Sequence, residues 1–424
     1  MTPQHPGPDR LRFGANYVPS SGWLYSWLDF DADTARRDFE DLAGLGLDHV
    51  RVFPIWPWIQ PNRSLIRRQG IQDLLELIDV AAEFELGVAV DLLQGHLSSF
   101  DFLPSWVLTW HQRSVFTDEL VRSGLAAYVD QVCRAVATRP NVFAVTLGNE
   151  VNNLWPANPT SAGACSDWAA ELLATAKAAA PELLSLYSLY DAAWYEPDHP
   201  FHPVDAVELG DLTTVHSWVF NGVSALDRPL GRALGPATTS HADYLVELAA
   251  AGSADPGRPV WLQEVGAPQP DIPAAEAAGF ARLMIEQVAP NPALWGVTWW
   301  CSHDIDRRLV DFPDREYDLG LFTVDHRRKP LADQLASSIT ELGKSRPVDR
   351  ARPAIVCEVD LRTEPERRAE VAPGSAFHTA WVRLRQAGPL AIVPAHRAGD
   401  RAYLAARGIA TVLPHPTTPE PAAT

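Results

Sequence analysis

Four cysteines among 424 residues is little sulfur. Cys133, Cys165, Cys301 and Cys357 stand far apart, so they show no metal-type spacing and demand no disulfide framework. A reducing compartment is the simpler expectation. Positive charge is scarce as well: 35 basic against 53 acidic residues leave a formal net charge of −18. Such a surface repels phosphate backbones and anionic bilayers, so neither nucleic acid nor membrane is an expected partner. No apolar run approaches the ~20 residues of a membrane span. The opening MTPQHPGPDR carries no apolar stretch of signal-peptide type, and a cytoplasmic protein is expected. Also missing is a glycine-rich phosphate turn after an early strand, which weighs against an open doubly wound sheet. Histidines and carboxylates do not cluster along the sequence, so neither a metal nor a cofactor is expected.

What is present is a soluble composition, 46% hydrophobic and 21% charged, with 15 tryptophans. Flat indole faces suit carbohydrate, although tryptophan is also an ordinary core residue. The chain alternates apolar β-branched runs with helical periodicities. Strands are expected at 11–17, 48–54, 86–93, 141–148, 183–189, 211–218, 259–266 and 294–300. Helices are expected at 34–45, with Asp33 as N-cap, and at 71–85, 118–137, 164–180, 241–251, 274–288 and 330–342. Near-continuous apolar strands alternating with helices imply a parallel sheet buried on both faces. Eight such units predict the α/β class, as a (β/α)8 TIM barrel over 1–345 with its active site at the carboxyl ends of the strands. From 346 to 414 the pattern is strand-helix-strand-helix-strand, a small α/β unit of its own. Residues 415–424 are Pro/Thr-rich, and a disordered tail is expected there.

Two strands end on a carboxylate. NVFAVTLG is followed by Asn149-Glu150, and PVWLQEVG contains Glu264. As barrel staves they would hold both acids over one mouth, with Glu264, Leu262 and Val260 on one face by strict alternation. Two facing carboxylates are the machinery of glycosidic cleavage. One protonates the leaving oxygen and the other attacks the anomeric carbon or activates water. The plain alternative for either acid alone is a charged strand end meeting solvent. Arg51 in HVRVFP could likewise form an ordinary ion pair with Asp48 or another acid.

The ordered set Arg51, Asn149-Glu150 and Glu264, spread over roughly residues 10 to 345, resembles the retaining barrel glycosidases of clan A, most closely glycoside hydrolase family 5. That resemblance implies Glu150 as acid/base and Glu264 as nucleophile. It further implies that Asn149 binds the 2-hydroxyl of the cleaved sugar and that Arg51 supports the nucleophile. His216 in TTVHSW occupies the place of a family histidine. The family's usual His-x-Tyr is here His216-Ser217-Trp218, so Trp218 is expected to face a sugar and another residue to serve Glu264. Trp300 matches the indole platform beneath the sugar, with Trp299 in the core. His96, His303, Asp304 and Tyr317 are further candidates for sugar hydroxyls, and Trp56 or Trp58 for a rim contact.

The expected activity is a retaining β-glycosidase acting on oligosaccharides. Long loops after the first, third and eighth strands favour exo-action, and the resemblance points to a β-mannosidase, Man-β-1,4-GlcNAc included. An endo-β-1,4-mannanase or endo-glucanase, a catalytically dead carbohydrate-binding barrel and a metal-dependent hydrolase are the alternatives. A homo-oligomer is left open.

Overall fold

The computed structural model describes residues 10–344 and 351–415. The expected tail beyond His415 and the start of the C-terminal unit at 346 lie outside the described residues. Eight strands form one sheet: β1 Arg12–Asn16, β2 His49–Val52, β3 Gly87–Leu93, β4 Val142–Gly148, β5 Leu184–Leu186, β6 Thr213–Ser217, β7 Val260–Val265 and β8 Leu294–Trp299. Their order is β5-β4-β3-β2-β1-β8-β7-β6, all parallel. A parallel bridge between Tyr187 and Thr213 joins the two ends, so the sheet closes into a TIM barrel. Strands β2, β4, β6 and β7 are buried at every position, polar residues such as Arg51, His216 and Gln263 included, as a parallel sheet covered on both faces requires.

One helix of the outer ring follows each strand: α1 Ala32–Ala43, α2 Arg68–Glu83, α3 Glu119–Val136, α4 Ala162–Ala179, α5 Pro203–Glu208, α6 Pro236–Gly252, α7 Ala277–Val288 and α8 Pro330–Lys344. Helix α5 is not among those expected from the sequence, and several starts differ by two or more residues, two of them for a visible reason. Helix α1 is capped by Asp31, not Asp33: the Asp31 carboxylate accepts from the Asp33 and Thr34 amides at 3.1 and 3.3 Å. Helix α6 begins at Pro236, five residues before the expected 241. Its first amides are satisfied from outside the segment, Asp227 accepting from Ala237 and Thr238 at 3.2 and 2.7 Å. Gly235 makes room for this cap, because a Cβ there would lie 2.2 Å from the Asp227 carboxyl carbon.

Inside the barrel, His49, Phe143, Trp261 and Trp295 fill the amino-terminal end with ring centroids 4.8–6.1 Å apart. Thr298 lies above them and accepts from Trp261 Nε1 at 2.8 Å. At a similar level Gln263 Nε2 donates to Thr146 Oγ1 at 3.1 Å. The inward side chains of β7 are thus Trp261 and Gln263, opposite to the face expected from Glu264, Leu262 and Val260. Alternation would turn Glu264 outward. A register break in β7 prevents this: Val215 pairs with Leu262, but the next residue, His216, pairs with Glu264. Such a bulge re-aims one side chain, here the carboxylate into the mouth. Asn16 Nδ2 donates to the Gln263 carbonyl at the break and to the Trp299 carbonyl of the neighbouring β8, at 3.1 and 3.2 Å.

The C-terminal segment forms a three-stranded parallel sheet, β9 Arg352–Cys357, β10 Ala391–Pro394 and β11 Ile409–Leu413, in the order β10-β9-β11, with helices α9 Ala376–Arg385 and α10 Arg401–Ala406. It packs over α6, which is buried from Ala237 through Gly252. Glu247 on α6 is fully enclosed and holds Arg352, Arg407 Nη2 at 2.8 Å and the Ile392 amide at 3.1 Å. Asp243, one turn earlier, holds Arg385 Nε at 2.7 Å.

Candidate active site

At the carboxyl end of the strands lies a cavity of about 460 Å³ whose lining includes His96, Asn149, Glu150, Trp218, Glu264, Trp300 and Glu316. Glu150 follows β4 in the left-handed backbone region, φ 45° and ψ 44°, which glutamate seldom adopts. Gly148 permits the close passage of β4 there, since a Cβ would lie 2.6 Å from the Leu93 carbonyl oxygen. The Glu150 carboxylate contacts His216 Nδ1 at 2.7 Å through Oε1 and accepts from Asn153 Nδ2 at 3.0 Å through Oε2. Glu264 accepts from Arg51 Nη1 at 2.7 Å and from the Trp218 indole at 3.3 Å. His216 Nδ1 is also 3.2 Å from Glu264 Oε2. A ligand oxygen of Glu150 lies within 4.8 Å of one of Glu264.

Arg51 is fully buried, and its partner beside Glu264 is not Asp48. Its Nε and Nη2 grip Asp91 at 2.9 and 2.5 Å, and Nη2 also donates to Asn149 Oδ1 at 2.7 Å. Asn149 is thereby held with its Nδ2 toward the His96 carbonyl at 3.1 Å. One guanidinium so ties together β3, β7 and the turn after β4, and truncating it would leave Asp91 buried without a counter-charge and Glu264 with His216 alone.

The two acids differ in environment. Burial raises the Glu150 pKa, and the Glu264 charge raises it further, against the pull of His216. For Glu264 burial also opposes ionisation, but His216 and then Arg51 outweigh it and hold its carboxyl below the usual range. His216 is pushed up to about 9: burial disfavours its charge, yet Glu264 and Glu150 more than compensate. A protonatable acid beside an ionised carboxylate is the division of labour that glycoside cleavage needs.

Trp218 corrects one expectation: no other residue has to serve Glu264, because the indole N–H itself donates to it while its ring lines the cavity. Trp300 also lines the cavity, edge-on to Phe53 at 5.6 Å, while Trp299 is buried and turned toward Phe280 of α7. His96 reaches the rim on a hairpin of His96–Leu97 with Phe100–Asp101, its Nδ1 2.8 Å from Asp101. Trp56 bonds to Gln60, and Trp58 packs on Tyr25 and Phe102, so both serve loop packing.

Three expected hydroxyl binders lie elsewhere. Asp304 is engaged by Lys329 and by the Gly320 amide at 3.0 Å, stapling the loop after β8 to itself. Tyr317 is buried and donates to the Leu309 carbonyl at 2.8 Å. His303 turns away from the cavity toward Asp41 of α1. Histidines and carboxylates that are distant in sequence do cluster there, contrary to expectation: Asp38, His303 and His326 present ligand atoms within 4.8 Å of one another.

The same loop supplies a carboxylate that the sequence reading overlooked. Glu316 faces the cavity beside Arg315, and its pKa is raised to about 7 by burial and by the charges of Glu264 and Glu150, against the Ser98 hydroxyl and Arg315. Tyr190, Phe220 and Asn221 complete the wall, and Arg315 stacks over Phe220 at 4.4 Å. Loops after β1, β3 and β8 meet at one flank, where Trp23 and Phe100 each lie 4.8 Å from Phe312.

No protein-family model matches the chain, and no curated protein matches it. Solved structures do. A glutamate-to-alanine variant of a GH5_18 protein from Streptomyces cattleya, in complex with Manb1-4GlcNAc, is 47% identical, with 96% of this chain and 99% of that chain covered and a TM-score of 0.90. A GH5_18 variant from Bifidobacterium longum subsp. longum ATCC 55813, also in complex with Manb1-4GlcNAc, is 38% identical over 96% of both chains, with a TM-score of 0.90. An exo-beta-1,4-mannosidase, Op5Man5 from Opitutaceae bacterium strain TAV5, shares the fold at 20% identity, with 91% and 69% covered and a TM-score of 0.70.

Proposed function

The chain belongs to glycoside hydrolase family 5, subfamily 18, and from that membership we propose an exo-acting β-mannosidase that hydrolyses Man-β-1,4-GlcNAc with retention of configuration. The observation that carries the reading is the pair Glu150 and Glu264, with oxygens within 4.8 Å. Retaining enzymes hold their carboxyl groups about 5–5.5 Å apart, whereas inverting ones leave roughly 6.5–9.5 Å for a water.

In this mechanism the Glu264 carboxylate attacks the anomeric carbon while Glu150 gives its proton to the departing glycosidic oxygen. A glycosyl ester forms on Glu264 and the reducing-end sugar leaves. Esterification removes the Glu264 charge that adds to burial in raising the Glu150 pKa, so the Glu150 pKa falls and it becomes a base. It then takes a proton from water, whose oxygen attacks the anomeric carbon and releases Glu264. His216, positively charged between the two acids, stabilises whichever carboxylate is ionised.

Asn149, Trp300 and Glu316 supply the sugar contacts in this reading: an amide and a carboxylate for hydroxyls and an indole face beneath the ring. Trp218 and Phe220, with ring centroids 5.3 Å apart, offer an apolar wall for the second sugar. Exo-action is supported by the aromatic closure of Trp23, Phe100 and Phe312, which occupies one flank where an endo-acting cleft would continue. A cavity of about 460 Å³ is in the range of small-ligand pockets, about 300–1,000 Å³.

The test is hydrolysis of p-nitrophenyl β-mannoside, β-glucoside and β-galactoside beside Man-β-1,4-GlcNAc and a mannan, with the first-formed anomer read by NMR. The expected result is preference for mannosides, release of β-mannose first, and no cleavage inside a long chain. First-formed α-mannose would overturn retention, and internal cleavage of mannan would overturn exo-action.

A further inference from the structure

We propose that Asp38, Asp41, His303 and His326 form a binding site for one divalent transition-metal ion, zinc by its chemistry, clasping the loop after β8 to helix α1. The two aspartates stand three residues apart on α1, hence on one face of the helix. Both histidines come from the segment between β8 and α8. Asp38 Oδ1 lies 3.7 Å from His303 Nε2 and 4.0 Å from His326 Nδ1. Asp41 Oδ2 lies 3.3 Å from His303 Nε2 and 2.7 Å from His326 Nδ1. Zinc bonds of about 2.0–2.1 Å in a tetrahedron set ligand atoms roughly 3.4 Å apart. The four measured edges straddle that spacing.

A second observation concerns Asp38 alone. Its carboxylate is fully buried, and Oδ2 is held by the Tyr17 hydroxyl at 2.9 Å and the Ser20 amide at 3.1 Å. Among the described residues Oδ1 has no hydrogen-bond partner, and it is turned toward the two imidazoles. A buried carboxylate oxygen in that state is unfavourable unless a cation compensates it. Direct charge-assisted bonds to the histidines would close to about 2.7–2.9 Å, and only the Asp41–His326 contact does so. The His303 and His326 rings meet at 71° with centroids 5.4 Å apart, and His303 stacks on Phe322 at 5.6 Å.

Two imidazoles with two carboxylates suit zinc, whereas magnesium and calcium prefer oxygen alone. Asp41 and His326 are 22% and 31% exposed, which provides a route for the ion, while Asp38 and His303 form the closed floor. The clasp lies away from the cavity lined by Glu150 and Glu264, so its role is structural. The loop it fastens is the one that carries Arg315 and Glu316 to the substrate.

The experiment uses the full chain, stripped with a chelator and dialysed against zinc alone, with bound zinc counted by atomic spectroscopy and unfolding followed by thermal melt. One zinc per chain, a raised midpoint, and loss of both in His326→Ala are expected. Asp38→Asn should behave alike; His326→Ala, at a partly exposed position, keeps the test valid if Asp38→Asn does not fold. Cobalt(II) in place of zinc should give the intense visible bands of a tetrahedral site in the wild type and not in His326→Ala. No zinc held by the wild type at micromolar concentration would overturn the proposal. So would unchanged zinc content in His326→Ala, which would put the ion elsewhere.

Discussion

Replacing Trp218 with phenylalanine isolates one hydrogen bond to the proposed nucleophile, Glu264. The indole donates to Glu264 Oε2 at 3.3 Å, and Arg51 and His216 remain in place. Hydrogen bonds to charged groups contribute about 1.5–3 kcal/mol, and a 3.3 Å contact belongs at the lower end. A loss of about 1.5 kcal/mol corresponds to roughly one pKa unit. The sign follows from which form reacts. In the proposed mechanism Glu264 attacks as a carboxylate, so activity is present above its pKa and lost below it; removing a donor to the ionised form raises that pKa. The acid limb of kcat/KM should therefore move up by about one pH unit. Plateau kcat/KM should fall less than kcat, because the donor favours the free carboxylate and thus also the second step, when Glu264 departs. Release of the glycosyl-enzyme should slow by roughly 10-fold, the same 1.5 kcal/mol. The assay is p-nitrophenyl β-mannoside hydrolysis from pH 4 to 9, with burst kinetics to separate the two steps. Trp218→Tyr, which restores a donor, should recover part of the shift. An acid limb that does not move in Trp218→Phe would refute the role given to the indole.

Glu264→Gln should lower turnover of aryl β-mannosides on the order of 10³-fold or more, and wild-type turnover would remove it as nucleophile. Glu150→Ala should cost about 10²–10⁴-fold on Man-β-1,4-GlcNAc, yet far less in the first step on an aryl mannoside, whose leaving group needs no proton. Equal impairment of both substrates in single-turnover kinetics would count against the acid assignment. Above pH 7, where Glu316 is ionised, Glu316→Gln should reduce kcat/KM on the disaccharide roughly 10- to 100-fold, the loss of a hydrogen bond from a hydroxyl to a charged acceptor; steady-state kinetics unchanged by the substitution would place Glu316 outside the substrate contacts. Gly235→Ala puts a methyl 2.2 Å from the Asp227 carboxyl carbon and should destabilise by about 1–3 kcal/mol in denaturant melts.

The barrel was readable because several of its parallel strands, buried on both faces, are written as near-continuous apolar runs alternating with helical periods, and all eight appear near their expected places. Positions beyond a regular period were harder. Alternation assigned Glu264 to the mouth on the wrong premise: the bulge at Gln263–Glu264, not the parity of the strand, turns it inward. In the irregular stretch after Trp300 no period indicates which way a side chain points. His303 and Asp304 looked available for sugar there and are occupied by Asp41 and Lys329. Glu316 was lost among the other charges of HDIDRRLVDFPDREYDLG, and only the return of the loop reveals it. The α6 start shows a related limit, since its cap comes from the distant Asp227 and the one local signal is Pro236 itself at the first helical position.

Glu247 has a consequence for the order in which the molecule can be made. The acid sits on α6, and its guanidinium partners Arg352 and Arg407 follow 105 and 160 residues later. During synthesis at about 5–20 residues per second, α6 emerges many seconds before the groups that neutralise it. Until then one side of the helix, together with Asp243 and Glu247, faces water or a chaperone. The last strand of the barrel is finished well before the chain is, but the helix over β6 and β7 waits for the final stretch. A ribosome-bound chain ending near residue 345 should accordingly be protease-sensitive at α6, and the full-length chain should not be.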